Sequence, residues 1–518
     1  MTSTMTPQRA ASTKAGRGGF GQLLHAEWTK FRTVRGWVRG MIGAVLAILL
    51  VGLVGTAASN QSEHDDKPAL PVGPGGGAVN DNFYFVHQPL QGNGSITVSV
   101  SSLTGVVATE PKATKSGLSP WAKAGIIVKD NLKQGSAYAA MMVTGAHGVR
   151  MQHNYTEDTA GRSGNVSQES PRWLRLNRSG DRITGYDSAD GTHWTEVGTA
   201  HLPGLSPTAQ VGLFVTSPSA MEQTTTGAGF GPAVATGSFG QVALGGEWGQ
   251  GSWQDEQVGG DAGTSGSYTQ TTRGQYTKSG SGFTVTGAGD IAPVVGGGAM
   301  GPGHTIENFL VGAFAGLIVV IVVGTGFITV EYRRGLIGLT MAASPRRGRV
   351  LVAKAIVLGS LAFVAGLVAA AVMIPLGEQR AQANGFYVLT VPTPTELRVM
   401  VGTGLLLAVA GVLALAVGTI LRRSAVAITV VVVGMVLPYI LATASVLPTG
   451  ASQWLLRVTP AAGFAIQQSV RNYEQVITTY TPASGYFPLA PWAGFAVLCG
   501  YTALALGTAV VLLRRRDV

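Results

Sequence analysis

Six stretches of 20 or more mostly apolar residues, at 39–58, 308–330, 351–376, 397–421, 424–446 and 491–513, leave this chain few ways to fold. A hydrocarbon core about 30 Å thick needs roughly 20 helical residues to span it. Lipid offers backbone N–H and C=O groups no partner, so each stretch is expected to be a helix crossing a bilayer. None has a charge at its centre. Lys354, near the start of the third, is expected to snorkel to the headgroups.

Between the first and second stretches lies a polar block, residues 59–307, and the sign of the charge separates it from the rest. The whole chain has 36 Lys+Arg, 26 Asp+Glu and a net charge of +10, which by itself suggests a nucleic-acid partner. Residues 59–307, however, hold 14 bases and 20 acids, leaving 22 bases and 6 acids elsewhere. The basic excess therefore borders the apolar stretches, which argues against nucleic acid and for cytoplasmic retention of Lys and Arg. Residues 1–39 carry seven bases, 331–354 carry six, and Arg422, Arg423 and Arg514 to Arg516 close the remaining turns on the same side. The expected topology is a multi-pass cell-membrane protein with both termini cytoplasmic and residues 59–307 outside. The single cysteine, Cys499, excludes an intrachain disulfide and a multi-cysteine metal site.

Ahead of the first span, residues 1–19 read as a disordered tail and 20–38 as an amphipathic helix. Phe20, Leu24, Trp28 and Phe31 recur at helical spacing, with Lys30, Arg32 and Arg35 nearby, a pattern suited to the inner headgroup layer. GTAASN at 55–60 has the small residues of a signal-peptide cleavage site, but the basic region before the apolar run is far longer than a signal peptide needs. The spans are expected to lack the buried Asp, Glu, His or Lys that ion-coupled transporters use. They carry small residues instead, Gly312 and Gly316 in the second and Gly404, Gly411 and Gly418 in the fourth, which suit close helix packing. Pro438 and Tyr439 are expected to break the fifth span near its outer end. No G-x-x-x-x-G-K-[ST] occurs, so the chain is not expected to bind ATP in a P-loop.

The loop at 331–350, between the second and third spans, runs EYRRGLIGLTMAASPRRGRV. Its arginines are explained by topology alone; the short helix of apolar and small residues they enclose is not. With the LVAK that follows, this stretch resembles the cytoplasmic loop of ABC-2-type transporter permeases, especially actinobacterial ones. HAEWTKFRTVRGW (25–37) resembles their interfacial helix, with Glu27, Trp28, Lys30 and Phe31, and QWLLRVTPAAGFAIQQSV (453–470), in the external loop 447–490, resembles their outer helical hairpin. The resemblance implies a membrane all-α six-helix permease whose loop docks on a separate cytoplasmic ATPase through Glu331, Arg333, Arg334, Leu336, Thr340, Pro345 and Arg346. It also implies ATP and magnesium on that partner, no cofactor on this chain, export as the usual direction, and action as a pair with a second permease chain, identical or related. Residues 514–518 are a short cytoplasmic tail.

The permease pattern does not account for residues 59–307. Gly- and Pro-rich stretches at 71–80 and 287–303 are expected to be flexible connectors. Between them SITVSVSSL, AGIIVKD, SAYAAMMVT, GVRMQHNY, RWLRLNRSG, DRITGYDS, HWTEVGTA and QVGLFVTS read as short strands of an inserted all-β sandwich over about 80–220, with a Gly/Ser/Thr-rich remainder. SPWAKAGIIVKDN and RWLRLNRSGDRITGYDSADGTHWTEVGT resemble concanavalin-like jelly rolls related to laminin G and to the DUF1349 group. Glu247, Asp255 and Glu256 lack the paired-carboxylate arrangement of a glycosidase. Asp187 and Asp190 suit a hairpin turn better than a calcium site. Trp121, Trp173 and Trp194 are candidates for stacking on a cell-wall glycan or peptide, against the commoner role of core packing. Two functions follow: a permease subunit carrying an outer domain, or a membrane-anchored glycan-binding or sensing module that transports nothing.

Overall fold

The computed structural model describes residues 19–57, 70–110, 113–224, 227–249, 251–259, 274–296, 304–336, 347–384, 386–444, 447–477 and 482–515. It contains a helical bundle and a β-domain. Among the described residues six helices are long and apolar enough to cross a membrane.

Helix α1 (Phe20–Thr33) ends at Val34, whose extended backbone turns the chain into α2 (Arg35–Ala57). The amphipathic helix is therefore shorter than 20–38, and the basic residues Arg35 and Arg39 begin the span itself. After the β-domain come the short α3 (Ile306–Phe309), closed by a Thr305/Asn308 capping box, and α4 (Ala313–Arg333). Then follow α5 (Arg347–Ala383), α6 (Thr393–Leu421), α7 (Ser424–Thr443), α8 (Thr449–Val458) and α9 (Pro491–Arg515). A 3-10 segment, Pro460–Gln467, follows α8. At 37 residues α5 is about 55 Å long, more than the hydrocarbon core, so one end projects past the apolar layer. Helix α7 continues through Pro438 without the expected break. Neighbouring side chains hold the last turn in place: Tyr439 lies 4.4 Å from Phe314 and 5.4 Å from Phe464, centroid to centroid.

Helix α6 is the centre of the bundle, packed along α4, α5 and α9, while α2 lies against α4 and α5. The glycines make these approaches possible. A Cβ at Gly312 would collide with the Ile48 carbonyl oxygen of α2, and one at Gly404 would sit 2.8 Å from the Phe363 carbonyl oxygen of α5. Gly411 and Gly418 turn instead toward Val320 and Ile328 of α4. The stripe is thus used inside the chain, against two different helices.

In the β-domain two antiparallel sheets face each other. The seven-stranded sheet runs Gln254–Val258, Phe83–Gln91, Thr208–Thr216, Lys123–Lys129, Tyr138–Thr144, Val149–His153, Glu157–Ala160. The nine-stranded sheet has Gly94–Glu110 and Arg172–Ser179 near its middle. Val86, Ile126, Met141, Leu174, Leu176 and Leu213 are among the buried residues that fill the space between the two sheets. All eight strands read from the sequence are present. The Asp190-Gly191 connection is a longer loop than a two-residue turn, because the strands it joins end at Ser188 and restart at Thr195.

The connectors are not loose where they are described. Val79–Asp81 pairs antiparallel with Ile291–Pro293, and this ribbon lies over the far face of the seven-stranded sheet, sealing a second apolar cluster that includes Phe83, Phe85, Ile127, Tyr138 and Phe214. Two buried ion pairs pin it: Lys129 Nζ lies 2.7 Å from Asp81, and Lys123 Nζ lies 2.7 Å from Asp290. The β-domain in turn sits on the bundle. The buried Gln475 side chain donates to the carbonyls of Tyr155 and Thr156, both at 3.3 Å, and the Thr390 hydroxyl, just before α6, donates to the Gly76 carbonyl at 3.3 Å.

Candidate functional site

At the arginine-rich end of the bundle, away from the β-domain, four charged side chains converge from three helices. Lys354 of α5 is completely buried, contrary to the expectation that it snorkels. Its Nζ lies 2.7 Å from Glu27 of α1 and 2.7 Å from Glu331 of α4. Lys30, one turn after Glu27, reaches Glu27 at 2.9 Å and Glu331 at 3.4 Å. Phe327, one turn before Glu331, places its ring 4.3 Å below Lys354, and Phe31 closes on that ring edge-first at 5.4 Å.

The arrangement follows from the cost of burying charge. A lone ammonium in an apolar bundle is prohibitive, whereas two ammoniums shared between two carboxylates are neutral as a group. Burial pulls the Lys30 pKa down, but its hydrogen bonds and charge interactions with Glu27 and Glu331 outweigh that and leave it raised. Glu331 Oε2 remains buried without a hydrogen-bond partner among the described residues. The cluster thus ties the interfacial helix to the last turn of α4 and the second turn of α5, the two helices that enclose residues 337–346.

The loop residues divide around this point. Glu331 faces inward, while Arg333, Arg334 and Leu336 are exposed. Helix α4 stops because Gly335 adopts a positive φ of 66°, a conformation glycine takes at little cost. Thr340, Pro345 and Arg346 lie outside the described residues. On α1, Glu27 and Phe31 are buried and Trp28 is 43% exposed, so Phe31 of the aromatic stripe packs on the bundle and Trp28 does not. Sequence reading missed Lys354. Its signal was a cation in an apolar run, with a glutamate, Glu27, on the apolar side of a nearby amphipathic helix.

The three tryptophans do not form one site. Trp121 is buried, stacked on His147 at 4.0 Å beside the seven-stranded sheet. Trp173 belongs to the other sheet, on the same face of its strand as Arg175, whose guanidinium lies 3.8 Å from the Trp194 ring. Asp190 accepts the backbone N–H groups of Thr192 and His193, and Asp187 accepts that of Arg162, so both carboxylates serve loop geometry. Among the described residues no group of three or more His, Cys, Asp or Glu is placed to hold a metal.

At the opposite end of the bundle, Glu307 of α3 accepts both the backbone N–H and the hydroxyl of Ser469, and burial pushes its carboxyl up from the usual range. Arg398 donates to the carbonyls of Ile466 and Gln468. Residues 466–469 are therefore gripped from α3 on one side and α6 on the other.

A family model described as ABC-2 family transporter protein matches residues 122–518, beginning within the β-domain and running through every later helix. No curated protein matches the sequence. Among solved structures, scytalido-glutamic peptidase is similar at 11% identity and TM-score 0.27, over 40% of this chain and 98% of that one. A functionally unknown protein from Saccharomyces cerevisiae aligns at 18% identity and TM-score 0.23, over 36% and 87%. A GH43 protein from Bacillus licheniformis aligns at 16% and 0.18, over 30% and 27%. Likenesses this weak carry no argument about activity.

Proposed function

The chain belongs to the ABC-2 transporter family, and on that premise we propose that it is the permease subunit of an ATP-driven exporter, coupled to a separate cytoplasmic ATPase through residues 331–346. The arginine-rich end faces the cytoplasm by the positive-inside rule, and the β-domain lies outside. The observation that carries the reading is the buried cluster of Glu27, Lys30, Glu331 and Lys354. An ATPase that closes on ATP and magnesium pushes on the loop between α4 and α5. A loop moving alone would do no work, but here both helices it joins are tied to each other and to α1 by buried ion pairs, so the push moves three helices together. Arg333, Arg334 and Leu336 supply charge and apolar contact for docking, and the family resemblance gives Thr340, Pro345 and Arg346 the same role. A second copy or a related chain completes the pathway.

The β-domain, read as a concanavalin-like sandwich, caps the outer loops and offers the face carrying Trp173 and Trp194 to a cell-wall glycan or peptide; Trp121 is too buried to take part. Replacing Arg333 and Arg334 by Glu abolishes capture of the co-expressed ATPase while membrane insertion is retained. Undiminished capture refutes the docking assignment and favours a membrane anchor for the β-domain.

A further inference from the structure

Near the buried cluster, a cavity of about 940 Å³ opens between the start of α1, the first turns of α5 and the last turns of α9. Its volume falls at the upper end of the range of small-molecule sites, about 300–1,000 Å³. Phe20, Gly348, Val352 and Val510 line it with carbon, and Arg347, Arg349 and Arg514 bring three guanidiniums to it. Among the described lining residues none is acidic.

Two contacts set its shape. Arg347 Nη1 donates to the Leu513 carbonyl at 2.8 Å, bridging from the first residue of α5 to the last turn of α9. Gly348 keeps the floor open: a Cβ there would lie 3.2 Å from Val510 Cγ1 and 3.9 Å from Arg514 Nη2. Topology accounts for arginines at this end of the bundle. It does not require arginines of two helices, more than 160 positions apart in sequence, to meet at one recess with an apolar floor.

We propose that this recess binds an anionic phospholipid of the membrane leaflet it opens to, with the lipid phosphate held by Arg347, Arg349 and Arg514 and the acyl chains lying along Phe20, Val352 and Val510. Charge complementarity selects an anion, since three cations and no carboxylate are among the described residues that line the site. The apolar half selects a lipid over a free ion: Val352 is exposed and Phe20 and Val510 are half-buried, so the recess keeps apolar surface open beside its guanidiniums. Guanidinium suits phosphate because its planar fork donates two parallel hydrogen bonds, and basic pockets between spans are a recurrent way of holding anionic headgroups. The inference rests on membrane insertion and not on ATPase docking.

The test uses the full-length protein in mixed micelles holding equal mole fractions of phosphatidylglycerol and phosphatidylcholine, with retained lipid counted by native mass spectrometry. The wild type retains phosphatidylglycerol selectively, and each arginine removed lowers that selectivity about fivefold. Arg349→Gln with Arg514→Gln therefore nearly abolishes it. Val352→Trp, which fills the cavity and leaves every charge in place, also abolishes it. Should the double Gln variant fail to insert, Arg349→Lys with Arg514→Lys keeps the topogenic charge and loses the bidentate fork, so selectivity falls while insertion holds.

Unchanged selectivity in Val352→Trp overturns the proposal. So does displacement of the lipid by inorganic phosphate at equal phosphate concentration, which would mark a free-anion site. Loss of ATPase capture in Arg349→Gln with Arg514→Gln, at unchanged lipid retention, would instead make the recess part of a protein contact.

Discussion

Replacing Lys354 by Met, close to it in length but uncharged, should be among the most damaging single changes in the bundle. The substitution leaves Glu27 and Glu331, with side chains 2% and 13% exposed, to share Lys30 alone. Lys30 is 40% exposed and 3.4 Å from Glu331, so solvent screens much of its pull. Removing one partner of a buried ion pair costs about 3–5 kcal/mol, mostly because the remaining charge is stranded. Lys30→Met breaks a partly solvated pair and should cost about 0–1 kcal/mol. Replacing Glu27, Glu331 and Lys354 together by Met removes the stranded charge and should recover most of the loss, since an apolar cluster of similar volume does without desolvation. Thermal unfolding in nanodiscs, followed by size exclusion, ranks the three variants. The ion-pair argument fails if Lys354→Met is no less stable than Lys30→Met, or if the triple variant is the worst of the three. A triple variant that folds, captures the ATPase and hydrolyses ATP without transport would place the cluster in the transmission of force and not only in folding.

Three further outcomes follow from the geometry. Gly312→Ala places a methyl against the Ile48 carbonyl and should cost about 1–3 kcal/mol by forcing α2 away from α4, seen as a lower unfolding temperature with secondary structure retained. Lys129→Met strands Asp81, which otherwise also receives the Tyr155 hydroxyl at 2.8 Å and the Gly135 N–H at 2.8 Å, and should release the Val79–Asp81 ribbon to proteolysis. Burial lowers the pKa of His87, His147 and His153, with Arg150 lowering His147 further. The unfolded chain therefore takes up protons first as the pH falls below about 6.5, so β-domain stability should drop between pH 7 and pH 5. Tryptophan fluorescence melts across that range check the sign, and a rise in stability on acidification would contradict it.

The strands that sequence reading missed show where local patterns stop. Phe83–Gln91, FYFVHQPLQ, lies one strand in from the edge of its sheet, yet it lacks alternation because it is buried on both faces, by the sandwich core and by the ribbon. Lys123–Lys129 has a lysine at each end of an apolar strand. Both are fully buried, because Asp81 and Asp290 arrive from segments that look like linkers. The connectors were misjudged for the same reason: Gly and Pro predict local freedom, and only the sheet beneath them supplies an apolar surface to cover.

Apolar length, the placement of arginines and the period of the strands are properties of neighbouring residues, measured against a bilayer or a sheet of fixed dimensions. They were enough to determine six spans, one inserted sandwich and the loop between the second and third spans. Burial is a property of what arrives from elsewhere. The meeting of Glu27 with Lys354, 327 positions apart, depends on how α1, α4 and α5 pack. That packing alone turned a lysine expected at the lipid headgroups into the centre of a neutral, buried charge cluster.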